Sequence, residues 1–158
     1  MKQPDAELDS LDVQILARYQ RDTQQAAHAI GRAVGLSAAA VQRRLKRLRA
    51  SGVIEAEIAV VVPAAVGLTM TCIVMVALER EDQRSLAAFQ KRICAQPEVQ
   101  QCYYVTGAHD FVLVVITADL PAYEAFTQRA LFGDDNVKSF TTHVSMGRGK
   151  VGLSVPLL

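Results

Sequence analysis

Acidic residues are missing between Asp22 and Glu55, a stretch that holds six Lys/Arg. That absence excludes a helix surface stabilised in the usual way, by opposite charges three or four residues apart. Long apolar runs are missing too. The longest, "IVMVAL" (Ile73–Leu78) and "FVLVVI" (Phe111–Ile116), fall far short of the roughly 20 residues a membrane span needs, so no membrane partner is expected. Cysteine is scarce. Cys72, Cys94 and Cys102 are an odd number at no metal-ligand spacing, and they read as reduced, mostly buried thiols of a cytoplasmic protein. The N-terminus, "MKQPDAELDSLD", is acidic and polar, unlike a signal peptide. No nucleophile–base motif, P-loop or G-x-G-x-x-G occurs, so neither enzymatic activity nor a cofactor is expected.

What is present is a chain of 158 residues, 51% of them apolar, enough for one medium domain or two small ones. The formal net charge of +1 hides an asymmetry. Met1–Gly52 carries nine Lys/Arg against five Asp/Glu, and the remainder eight against eleven. Opposite balances in the two parts suggest different tasks.

The first third predicts three helices. Leu8, Leu11, Ile15 and Tyr19 recur at helical spacing, with Asp9 as N-cap. Ile30 and Val34 mark a second helix, ended by Gly35 and lacking a capping side chain at Ala26. The third starts after Ser37. Val41, Leu45 and Leu48 form its buried stripe, while Arg43, Lys46 and Arg47 take the opposite face. Gln42, Arg44 and Arg49 flank the stripe, and Gly52 stops the helix. A short helix, a glycine-ended turn and a serine-capped basic helix fit a helix-turn-helix. Past Gly52, strands are expected at Val53–Pro63, Thr71–Glu79, Glu98–Gly107, Asp110–Ala118 and Val137–Met146, with helices at Asp82–Gln96 and Leu120–Leu131. Asp110–Ala118, nearly all apolar, reads as a central strand buried on both faces. From Thr71 the order is β-α-β-β-α-β. The expected fold is therefore α+β: a helix-turn-helix domain (1–52), a linker β-strand (53–67) and a ferredoxin-like βαββαβ domain (68–158).

These residues resemble the Lrp/AsnC family of bacterial and archaeal transcription regulators, over nearly the whole chain. "LDSLDVQIL" is similar to the family's opening LDxxDxxIL, and "VGLSAAAVQRRLKRLRASGVI" to its recognition segment. "VTGAHDFVLVV" resembles the family's G-x-Y-D turn and following strand, and "VGLSVPL" its C-terminal end. The resemblance implies a regulator that binds double-stranded DNA. It further implies a homodimer whose linker strands pair, assembly into tetramers or octamers, and an effector, usually an amino acid, bound by the second domain between dimers. The chain departs from the pattern at Ala26, at Gly31, at Ala38–Ala40, at Glu57 and at His109. Glycine inside a helix is expected to cost up to ~1 kcal/mol relative to alanine.

Site residues follow. Gln42 and Arg43 suit adenine and guanine edges in the major groove, or phosphate alone. Lys46, Arg47 and Arg49 suit phosphate, with Ser37 capping the helix that presents them. Arg44 either joins them or braces the helix. "TGAHD" is either an ordinary hairpin turn, with Gly107 at positive φ and Asp110 bonding the backbone, or, by the resemblance, part of an effector pocket. That pocket would comprise Thr106, Gly107, His109, Asp110 and Thr142. The function expected is a sequence-specific transcriptional regulator modulated by an amino acid. The alternative is an effector-binding, oligomer-forming protein with weak or lost DNA binding.

Overall fold

The computed structural model describes residues 7–157. Two compact units result, one running through Val60 and including the tail from Lys150, the other Val61–Gly149. Gln20 holds the tail with both ends of its side-chain amide, each 3.0 Å from the Val155 backbone. No helix among the described residues is long and apolar enough to cross a membrane.

The first unit contains α1 (Ser10–Tyr19), α2 (Ala27–Val34) and α3 (Ala38–Ala50). Asp9 caps α1 in a reciprocal box. Its Oδ1 accepts from the Asp12 N–H at 2.8 Å, and the Asp12 Oδ2 accepts from the Asp9 N–H at 3.2 Å. Ala26 offers α2 no side-chain cap, and Gly35 ends that helix at φ 73°. Ser37 Oγ accepts from the Ala40 N–H at 3.2 Å to start α3. Ile15, Tyr19, Ile30, Val34, Val41 and Leu45 close the core between the three helices.

Gly31 is better suited than helix propensity suggests. A Cβ there would lie 2.4 Å from the Leu36 carbonyl oxygen, in the turn that leads into α3. The expected cost of glycine is thus offset by a close approach that only glycine permits.

The linker is the clearest departure from expectation. Val53–Val62 forms no strand. Ile58, Val60, Val61 and Val62 are exposed, and no other described segment pairs with them. A ladder needs a second backbone, and the chain does not supply one here.

The second unit is a four-stranded antiparallel sheet in the order β2-β3-β1-β4, from β1 (Met70–Leu78), β2 (Val99–Tyr104), β3 (Phe111–Thr117) and β4 (Val137–Val144). Helices α4 (Gln83–Cys94) and α5 (Leu120–Thr127) cover one face, as in a ferredoxin-like domain. A π-helical turn, Gln128–Phe132, replaces the end of the expected second helix. Val74, Val76, Leu113 and Val115 meet Phe89, Ile93, Phe126 and Leu131 in the core. β3 is not buried on both faces. Phe111, Leu113 and Val115 are buried, but Val112 and Val114 are half-exposed, because the helices cover one side only.

Replacing Gly31 with alanine is expected to lower the melting temperature. The alanine's helix preference of up to ~1 kcal/mol is outweighed by about 1–3 kcal/mol of overpacking against backbone. A thermal melt of Gly31→Ala beside wild type checks this, and a raised melting temperature would contradict it.

Candidate nucleic-acid interface and effector turn

The five cations of α3 divide into two groups. Arg44 points back at α1, its Nη1 2.7 Å from Asp9 Oδ2 and 2.8 Å from Asp12 Oδ1. Arg47 pairs with the second Asp12 oxygen. Asp12 is completely buried and therefore needs such partners. Arg49 bonds Glu57 Oε1 at 2.7 Å and donates to the Tyr19 hydroxyl at 2.7 Å, while Tyr19 donates to the same Glu57 oxygen at 2.9 Å. The Arg49 guanidinium also sits 5.5 Å from the Tyr19 ring centroid. Arg43 and Lys46, with Gln42 beside them, are exposed and lack a carboxylate partner among the described residues.

Electrostatics follow the contacts. The Asp12 N–H, then Arg44, hold the Asp9 carboxyl below the usual range. Arg49, then the Tyr19 hydroxyl, do the same for Glu57. Burial, then the Glu57 contact, pushes Tyr19 up, and Asp9 raises Arg44 most. Lowered carboxylates stay ionised above their ordinary values near 4 and lose their pairing only as pH falls through the lower folded values. These braces therefore hold throughout the neutral range.

Sequence reasoning had missed Asp12, Tyr19 and Glu57 as supports. One signal was available for Asp12. It stands four residues after Leu8 and three before Ile15, inside the apolar stripe of α1, where an unpaired carboxylate is costly.

At the other candidate site, Thr106–Asp110 joins β2 to β3. The Val105 N–H donates to the Asp110 carbonyl at 2.8 Å, and Gly107 takes φ 122°. Asp110 pins the turn to β1. Its N–H donates to the Val76 carbonyl at 2.9 Å, and its Oδ2 accepts from the Leu78 N–H at 2.8 Å. Thr106 is exposed, and His109 is half-buried. Thr142 lies elsewhere. It pairs with Val74 on the opposite side of β1, and its hydroxyl shares a hydrogen bond with the Tyr123 hydroxyl under the helices. Within one chain the turn and Thr142 thus flank β1 rather than share a cleft.

Residues 8–49 match the AsnC-type helix-turn-helix domain, and residues 71–153 the Lrp/AsnC ligand binding domain. The chain belongs to the Lrp/AsnC family of transcriptional regulators. It is 44% identical over 151 residues to an HTH-type transcriptional regulator of Sinorhizobium fredii, covering 96% of this chain and 89% of that protein. An AsnC family regulator from Agrobacterium tumefaciens has a similar structure, with a TM-score of 0.88 at 28% identity over 95% of this chain and 97% of that one. A transcriptional regulator from Neisseria meningitidis, solved as its L-Met complex, gives 0.87 at 26% identity over 96% and 97%.

In this Lrp/AsnC regulator the recognition helix is thus held to α1 by a buried carboxylate. Asp12→Asn keeps the side chain's shape but removes the charge shared by Arg44 and Arg47. It is expected to destabilise the N-terminal unit by about 1–3 kcal/mol and to speed hydrogen exchange of the α3 amides. Unchanged exchange would show that the pairing does not hold the helix.

Proposed function

We propose that this regulator reads double-stranded DNA with α3, acts as a homodimer that assembles further, and answers to an amino acid. The observation carrying the first part is the exposed trio Gln42, Arg43 and Lys46 on the serine-capped helix of an AsnC-type domain. Thirteen residues at 1.5 Å each make α3 about 20 Å long, suited to lie in a major groove about 12 Å wide. Gln42 and Arg43 read base edges, and Lys46 contacts phosphate. Arg44, Arg47 and Arg49 act first as braces, since carboxylates already engage them. Each copy therefore neutralises few phosphates, and strong binding depends on several copies acting together.

Affinity is expected to fall as salt rises, through counterion release. Lys46→Ala should weaken binding to all sequences alike. Arg43→Ala should also relax preference at one base pair, by about 1–3 kcal/mol. Mobility shifts across a salt series, with the protein's own upstream region and a scrambled control, test both. Salt-independent affinity would overturn the DNA reading.

Two surfaces support the dimer. On the uncovered sheet face, Ile73 stands opposite Val114, and Val112 lies between Met75 and Tyr103. The linker adds exposed Ile58, Val60 and Val62. A second copy would pair the linker backbones and cover the sheet. Sedimentation at micromolar concentration should give a dimer or a multiple of it. A monomer that still binds DNA fully would refute the assembly.

The effector proposal rests on the ligand-binding-domain match and on the L-Met complex of the Neisseria relative. Asp110 uses one carboxylate oxygen on Leu78. The other can meet an ammonium group, and the amides around Gly107 a carboxylate. Since Thr142 flanks β1 from the far side, the pocket would draw Thr106, Gly107, His109 and Asp110 from one chain and Thr142 from another. One of the twenty amino acids, at millimolar concentration, should raise the melting temperature. Asp110→Asn, which keeps an acceptor for Leu78, should lose that rise. A response equal to wild type would remove Asp110 from the site.

A further inference from the structure

Acidic side chains are missing from a second part of the chain. None follows Asp135, while Lys138, Arg148 and Lys150 do. Lys138 lies on β4. Arg148 and Lys150 stand beyond that strand, in "MGRGKVG", and residues 146–152 are all exposed. Neither cation has a carboxylate partner among the described residues. Gly147 and Gly149 bracket Arg148. Neither takes a positive φ, and a Cβ on either would meet nothing within 4 Å. No contact within the chain therefore demands glycine there. Bare backbone on both sides of an arginine does permit close approach to a large partner.

The segment that follows is anchored. The tail from Lys150 clusters with the three helices of the first unit. Gln20 grips both the N–H and the carbonyl of Val155, each at 3.0 Å. Gln20 follows Tyr19, whose hydroxyl accepts from Arg49 in the last turn of α3. The clamp therefore sits near the C-terminal end of the recognition helix. Lys150 precedes Val155 by five residues and Arg148 by seven. Chain length keeps the two cations within about 18 and 25 Å of Val155. Phosphates recur about every 3.4 Å along a DNA strand, so this reach covers those flanking the base pairs under α3.

We propose that residues 146–150 form a basic strap that binds DNA backbone phosphates outside the segment read by α3, through Arg148 and Lys150. The inference rests on the reading of α3 as the helix that contacts DNA, and it supplies what that helix lacks. Carboxylates engage Arg44, Arg47 and Arg49, which leaves α3 few cations for phosphate. The strap adds two per copy. It adds affinity without base preference, because phosphate contacts carry no sequence information directly.

The test uses the full-length protein and its own upstream region across a salt series, with a scrambled duplex as control. Each lost phosphate contact lowers the slope of log affinity against log salt by about 0.9, so Arg148→Ala/Lys150→Ala should lose about 1.8 per bound copy. Preference for the upstream region over the scrambled duplex should stay that of wild type. Arg148→Lys/Lys150→Arg keeps both charges and should keep the wild-type slope. Arg84→Ala/Lys91→Ala removes the same charge from exposed positions of α4 and should leave the slope unchanged. In wild type, bound DNA should protect Lys150 from acetylation, read by peptide mass spectrometry, and should not protect Lys91. Gln20→Ala, which frees the tail, should reduce that protection. A double variant with the wild-type slope, or Lys150 acetylated equally with and without DNA, would overturn the strap and leave α3 as the reader as long as Lys46→Ala still weakens binding. An equal loss of slope from the α4 pair would also overturn it, as a general effect of charge. Salt-independent binding by wild type would remove the α3 reading and the strap together.

Discussion

The N-terminal unit depends on the burial of Asp12. A carboxylate with no exposure must be compensated where it lies. Here the compensation comes from Arg44 and Arg47 of α3, with Asp9 sharing Arg44. That requirement fixes the rotation of α3 about its axis relative to α1. With Arg44 and Arg47 turned to one flank and Val41, Leu45 and Leu48 inward, Gln42, Arg43 and Lys46 can only face out. The outward face is thus a consequence of how the helix is held.

A second brace acts at the far end of α3. Tyr19, Arg49 and Glu57 bond one another in a closed triangle, which ties the end of α1, the end of α3 and the start of the linker. Glu57 departs from the family pattern, and its place in this triangle gives the departure a structural reason. Gly31 has one as well, in the close approach of the Leu36 carbonyl. Next to Tyr19, Gln20 holds the C-terminal tail through an amide that both donates and accepts. Two neighbouring residues at the end of α1 therefore fasten both segments that leave the unit.

In the second unit the order of constraint is similar. Asp110 commits one carboxylate oxygen and its N–H to β1, so the turn is fixed against the sheet. Asn136 does the same at the other edge of β1, its side-chain amide pairing with both the N–H and the carbonyl of Arg80.

The sequence by itself determined the element order and the caps. Asp9 and Ser37 act as N-caps, Gly35 ends α2, and β-α-β-β-α-β follows from periodicity, because these are local effects of spacing and backbone preference. It also made the recognition segment legible, as a run of cations without acids. The tertiary structure decided which cations are available. Helical spacing puts Arg47 on the same face as Arg43 and Lys46, and only the distant Asp12 sets it apart as a brace. It decided that β3 is covered on one face, since the number of layers is not written in a strand's apolar content. It left Val53–Val62 without a ladder, because alternation specifies a strand's faces while its hydrogen bonds need a second backbone.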